Sequence, residues 1–78
     1  VSERELSLAP IHRIIKKAGA TRASEDAAEE LRKILEEIGV AIAKEALSLA
    51  QYAGRRTVRR EDIDRAARTL LRGYYSSQ

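Results

Sequence analysis

From Ser24 to Ala53 the chain runs about thirty residues without a proline, and that stretch decides what the rest must do. Ser24 is placed to cap a helix, because its hydroxyl can accept from backbone N–H groups left free in a first turn. Glu25 and Asp26 then face the positive end of the helix dipole. Gly54 is the expected stop. At about 1.5 Å per residue the segment predicts a helix roughly 45 Å long. Leu31, Ile34, Leu35, Ile38, Ile42 and Leu49, with the small Ala41, Ala46 and Ala53, make one stripe at helical spacing. Val40, Ala43, Leu47 and Ala50 cover much of the opposite side in its C-terminal half. A helix that is apolar nearly all round has to be enclosed. The remaining chain offers only two helical segments of about a dozen residues each, too little to enclose it. A second long helix is therefore expected, and a second copy of the same chain is the most economical source.

The flanking segments read as short amphipathic helices. The first is predicted over Ala9 to Ala18, with Pro10 in the first turn, where a missing N–H costs nothing, and Gly19 closing it in a left-handed conformation. Leu8, Ile11, Ile14 or Ile15, and Ala18 share a face, which leaves Arg13, Lys16 and Lys17 for other sides. The third helix is predicted from about Arg60, with Glu61, Asp62 and Asp64 near its positive end. Ile63, Ala66, Ala67, Leu70 and Leu71 recur at i, i+3, i+4, i+7 and i+8, and Gly73 is its expected end. The remaining GYYSSQ has no strong structural signal and reads as disordered. The expected organisation is an N-terminal extension over 1–8, one all-α domain over 9–72 and a C-terminal tail over 73–78, with no repeat and no linker.

Seventy-eight residues make one small domain. A core of that size supplies about 3 to 5 kcal/mol without a disulfide, a metal or a partner. There is no cysteine, and Phe, Trp and Met are also absent, so the core must be built from Ala, Leu, Ile and Val. The longest apolar run, Ile38 to Ala43, is far short of the roughly 20 residues that span a bilayer. The N-terminal VSERELS lacks a signal-peptide pattern, so a soluble intracellular protein is expected. His12, the only histidine, reads as a solvated side chain rather than a base or ligand. Glu29/Glu30 and Glu36/Glu37 read as a solvated helix face, since neighbours in a helix diverge by about 100° and cannot face one substrate. No nucleophile, triad or phosphate-cradling glycine loop is present. No enzyme activity, metal, cofactor, small-molecule substrate or membrane partner is expected.

Charge is where this chain is distinctive. The formal total of +3 is divided unevenly: residues 1–23 carry a net +3, residues 24–53 a net −4 and residues 54–78 a net +4. AGRRTVRREDI, residues 53–63, sets Arg55, Arg56, Arg59 and Arg60 around Thr57. A solvated charge run is the default explanation. Two observations weigh against it. The other connection, GATRAS at 19–24, repeats the chemistry in miniature with Thr21, Arg22 and Ser24. Both connections also hold hydroxyl and guanidinium groups beside helix starts, as binding a phosphate requires. Thr57 and Val58 are β-branched, which suggests a short extended pairing between the two connections.

The stretches LAPIHRIIKKAGATRAS at 8–24, LRKILEEIGVAIAKEALSLAQYAGRRTVRREDI at 31–63 and DRAARTLLR at 64–72 resemble the histone fold, and within it the archaeal histones. The resemblance covers about residues 8–72, in order and without evident gaps. It implies a short, a long and a short helix, two copies clasped in a handshake homodimer, and dimers that wrap double-stranded DNA without recognising its sequence. It also implies a cytoplasmic protein associated with the chromosome or nucleoid. On this resemblance Arg13 matches the first-helix arginine aimed into the minor groove, and Arg22 its counterpart in the first connection, next to Ser24. Arg56 and Thr57 match phosphate contacts, Lys16 and Arg59 supply supporting charge, and Arg55 and Asp62 match an ion pair that braces the second connection. Leu49, Tyr52, Asp62 and Arg65 occupy the places through which dimers meet as tetramers or longer assemblies. The family usually has a histidine where Tyr52 stands and an apolar residue where Arg65 stands, so that seam has altered chemistry here. Gly19 matches the glycine that permits close approach between superhelical turns.

Two other classes are weighed. A histone-fold component of a transcription or assembly complex would act mainly by protein heterodimerisation, and the clustered arginines argue against it. A basic membrane-surface protein fits poorly, because each apolar stripe has a helix to bury it.

Overall fold

The structure is a computed structural model, and it describes residues 7–76. It is all-helical across them, in the order α1 (Leu8–Lys17), α2 (Glu25–Tyr52), α3 (Arg60–Leu70) and α4 (Arg72–Ser76). The 1–8 extension lies mostly outside the described residues; Leu8 itself is the first residue of α1.

Each helix end has a local cause. Pro10 sits in the first turn of α1, and Gly19 follows its end with φ +113°, its N–H donating to the Lys16 carbonyl at 2.9 Å. Ser24 caps α2: its Oγ accepts from the Ala27 N–H at 3.1 Å. At the other end of α2, the Arg55 N–H reaches back to the Ala50 carbonyl and the Gly54 N–H to that of Gln51, both at 2.9 Å. That is a Schellman closure, and it requires the left-handed φ of +78° that Gly54 adopts. α3 opens under Arg59, whose backbone N–H is held by Asp62 in the first turn.

The chain divides into two compact units within α2, between Ile38 and Gly39. In the first unit, which holds α1 and the first half of α2, Ile11, Ala28 and Arg32 are buried. Arg32 is unexpected there. Its guanidinium lies 3.8 Å from the Glu36 carboxylate, and its Nε has no hydrogen-bond partner. In the second unit, which holds the rest of α2 with α3 and α4, Ala46, Ala50, Ala66, Ala67 and Asp62 are buried. Among the described residues no large side chain is fully buried, while Ile34, Val40, Leu47, Ile63 and Leu70 all remain substantially exposed. The second half of α2 carries apolar groups on more than one side, as its sequence requires, and the chain's own short helices do not cover them all.

Three expectations are corrected. Gly73 does not end the third helix. That helix is interrupted at Leu71 (φ −109°, ψ 40°), and Gly73 lies inside α4 without a positive φ. Residues 72–76, read as disordered, form a helical turn held by an N–H bond from Tyr75 to the Leu71 carbonyl (3.1 Å) and by the Arg68 guanidinium 4.7 Å from the Tyr75 ring centroid. The β-branched Thr57 and Val58 are in no strand, nor is any other described residue.

Candidate nucleic-acid interface

The second connection is the better-built of the two. Arg55, delivered by the Schellman turn, donates Nη1 to Asp62 Oδ2 and Nη2 to Asp62 Oδ1, both at 2.9 Å, and Nη1 also to the Thr57 carbonyl at 3.0 Å. The backbone N–H of Arg59 adds a bond to Asp62 Oδ2 at 2.8 Å. One guanidinium and one carboxylate thus tie the end of α2, the middle of the loop and the start of α3 together. Bidentate pairing of this kind is strong and geometrically specific. Hydrogen bonds from Arg55 first, and from the Arg59 backbone second, hold the Asp62 carboxyl down at about 2, well below its ordinary 3.8. The same bond to Asp62 raises Arg55.

This fixed loop sorts the arginines. Arg55 is half-buried and committed to Asp62, whereas Arg56, Thr57, Arg59 and Arg60 are exposed. Arg59 stands 3.9 Å from Glu61, with both side chains in solvent, a geometry that contributes little. Arg56 and Arg60 have no ion pair among the described residues. Sequence reasoning does not single out Arg60 as a contact, although its place in the cluster marks it equally well.

The first connection is set differently. Arg13, Lys16 and Arg22 are exposed cations, and the Ser24 hydroxyl spends its lone pair on capping α2 while its own hydrogen stays free to donate. Glu25 and Asp26 occupy the first turn of α2 and already offset the positive end of its dipole. An anion here would therefore depend on Arg22 and the α1 cations more than on the helix terminus.

The remaining site residues lie on α2 and α3 of the second unit. Leu49 is half-buried, Tyr52 is 95% exposed, Arg65 is exposed and Asp62 is held in the loop. His12 is partly exposed on α1. Among the described residues no group of histidine and carboxylate side chains is arranged to hold a metal ion, and no helix is long and apolar enough to cross a membrane.

Comparison with known proteins accounts for this pattern. Residues 4–67 match the sequence model of the family described as histone-like transcription factor (CBF/NF-Y) and archaeal histone. The chain is 52% identical over 59 residues to the archaeal histone HAN1 of Thermococcus zilligii, a match that covers 76% of this chain and 88% of that protein. It is 48% identical over 64 residues to probable archaeal histone 3 of Methanocaldococcus jannaschii, covering 82% of this chain and 96% of the relative. With its short, long and short helices joined by cationic connections, the chain belongs to the histone-fold family of the archaeal histones.

Proposed function

We infer that this is a DNA-binding chromatin protein: a histone-fold homodimer that binds double-stranded DNA without sequence preference and compacts it by wrapping. The observation that carries the reading is the second connection, where a bidentate brace consumes one arginine and leaves Arg56, Thr57 and Arg59 presented from a rigid frame. A merely solubilising charge run would need no such brace. Arg13, Lys16, Arg22 and Ser24 supply the contacts of the first connection. In the dimer each set occurs twice, which makes an arc of cationic corners suited to a bent duplex. Arginines entering the minor groove favour sequences that narrow and bend cheaply, and backbone-and-deformability binding of this kind needs no contact to base edges.

The partner that completes the fold is a second copy, because the apolar faces left exposed on α2 and α3 match those a handshake would cover. Dimers meet further through Leu49, Tyr52, Asp62 and Arg65. There Asp62 already has both oxygens engaged, and Tyr52 and Arg65 replace the usual histidine and apolar residue. Tetramers and longer assemblies on DNA then depend on new pairings at that seam, with Gly19 leaving room between successive turns. The role is architectural and chromosome-associated, with no catalytic step.

Direct titration of the purified chain onto duplexes of unrelated sequence, at several salt concentrations, tests this. Phosphate neutralisation releases counterions, so affinity should fall steeply and linearly on logarithmic axes, with similar slopes for every sequence. A slope near zero, or protein that stays monomeric until a different histone-fold chain is added, would favour the reading as a component of a transcription or assembly complex.

A further inference from the structure

α4 lies beyond residue 67, where the match to the family ends, so its role has to be read from its own contacts. Its attachment to α3 is specific. Arg68 is held by Asp64 (Nε to Oδ2, 3.0 Å) and lies over the Tyr75 ring, and Tyr75 in turn meets Tyr74 edge to face, with centroids 5.4 Å apart at 80°. Arg68 and Tyr75 are seven residues apart, so their contact shows that helical phase carries across the interruption at Leu71. In that phase Ile63, Ala67, Leu70 and Tyr74 fall at i, i+4, i+7 and i+11, along one row. Ile63 is 39% exposed, Leu70 46% and Tyr74 61%. An aromatic ring held still by its neighbours loses little freedom on docking, which is the character of an interface anchor.

We propose that α4 extends the dimer interface: the row Ile63, Leu70 and Tyr74 of one copy docks on the first half of α2 of a second copy, around Ile34. This rests on the homodimer reading above. Two features select that occupant. Residues 25–37 carry six carboxylates against two basic side chains, with Ile34 exposed among them, while Arg65 and Arg72 beside the apolar row are exposed and have no ion pair among the described residues. Apolar row and cationic rim thus meet apolar residue and acidic rim. Duplex DNA would answer the cations but offers its sugar-phosphate backbone to Ile63, Leu70 and Tyr74, which would gain nothing by burial there.

The test places a photocrosslinking benzoylphenylalanine at position 74 of the full chain and irradiates a mixture of isotopically light and heavy copies, with and without DNA. Light-to-heavy crosslinks on the peptide that holds Ile34 are expected; crosslinks only within one copy, or only to DNA, would overturn the proposal. Sedimentation of Tyr74→Ser should show a dimer dissociation constant raised about tenfold, as for a moderate interface anchor, with an unchanged salt slope on DNA. An unsubstituted chain that sediments as a monomer defeats the homodimer reading and this proposal together. An unsubstituted dimer that Tyr74→Ser leaves equally tight defeats only the role given to α4.

Discussion

Asp62 accepts from two nitrogens of Arg55 and from the Arg59 backbone, so a single carboxylate governs the shape of the second connection. Its folded pKa of about 2 lies below the ordinary 3.8, so the folded state binds this proton less readily than the unfolded state does. The associated stability is fully present above the unfolded value and is lost as pH falls from about 4 through about 2. Asp62→Asn should therefore lower the thermal midpoint at neutral pH and flatten its decline over that acid window, as melting curves across pH would show. The two central arginines should separate by assay. Arg56→Ala should weaken binding to all duplexes alike and lower the magnitude of the logarithmic salt slope by about one per lost phosphate contact, at unchanged melting temperature. Arg55→Ala should first lower the melting temperature, because it leaves Asp62 part-buried without its partner. An Arg56→Ala protein with the original salt slope would remove that residue from the interface.

The helix ends invite similar treatment, since each rests on one local device. Ser24→Ala removes the oxygen that satisfies the Ala27 N–H and should cost about 1 kcal/mol in denaturant titrations. Gly54→Ala meets no steric obstacle but forces a side chain into φ +78°, and a loss of about 1 kcal/mol is expected in the same assay. Such devices are what made the elements legible in sequence. Ser24, Gly19 and Gly54 mark their boundaries through backbone chemistry that acts within four or five residues, and α1 and α2 begin and end within one residue of where those signals put them. Gly73 misled because glycine ends a helix only where a positive φ is needed, and here the Arg68–Tyr75 contact holds the following turn in helical conformation. Arg32 was equally hidden: a basic residue among glutamates reads as solvent-facing, and only packing in the first unit shows that it is buried. The brace between Arg55 and Asp62 spans two helices and could be anticipated only by resemblance, since seven positions across a loop carry no fixed geometry.

At the scale of the whole molecule the balance of exposed and buried groups matters most. Five of the six buried hydrophobic residues are alanines, and each removes little surface from water, while larger aliphatic side chains stay open on α2 and α3. Folding of the proposed homodimer should therefore be linked to association. The melting temperature should rise with protein concentration, by several degrees for each hundredfold increase, and calorimetry over a dilution series would reveal it. A melting temperature independent of concentration would mean that the lone chain is self-sufficient. The alanine-lined interior then has a cellular corollary: a copy that has not met its twin keeps its oily residues on display and stays open to proteolysis. Abundance and quality control become one variable, with surplus unmatched protein cleared before it can reach the chromosome.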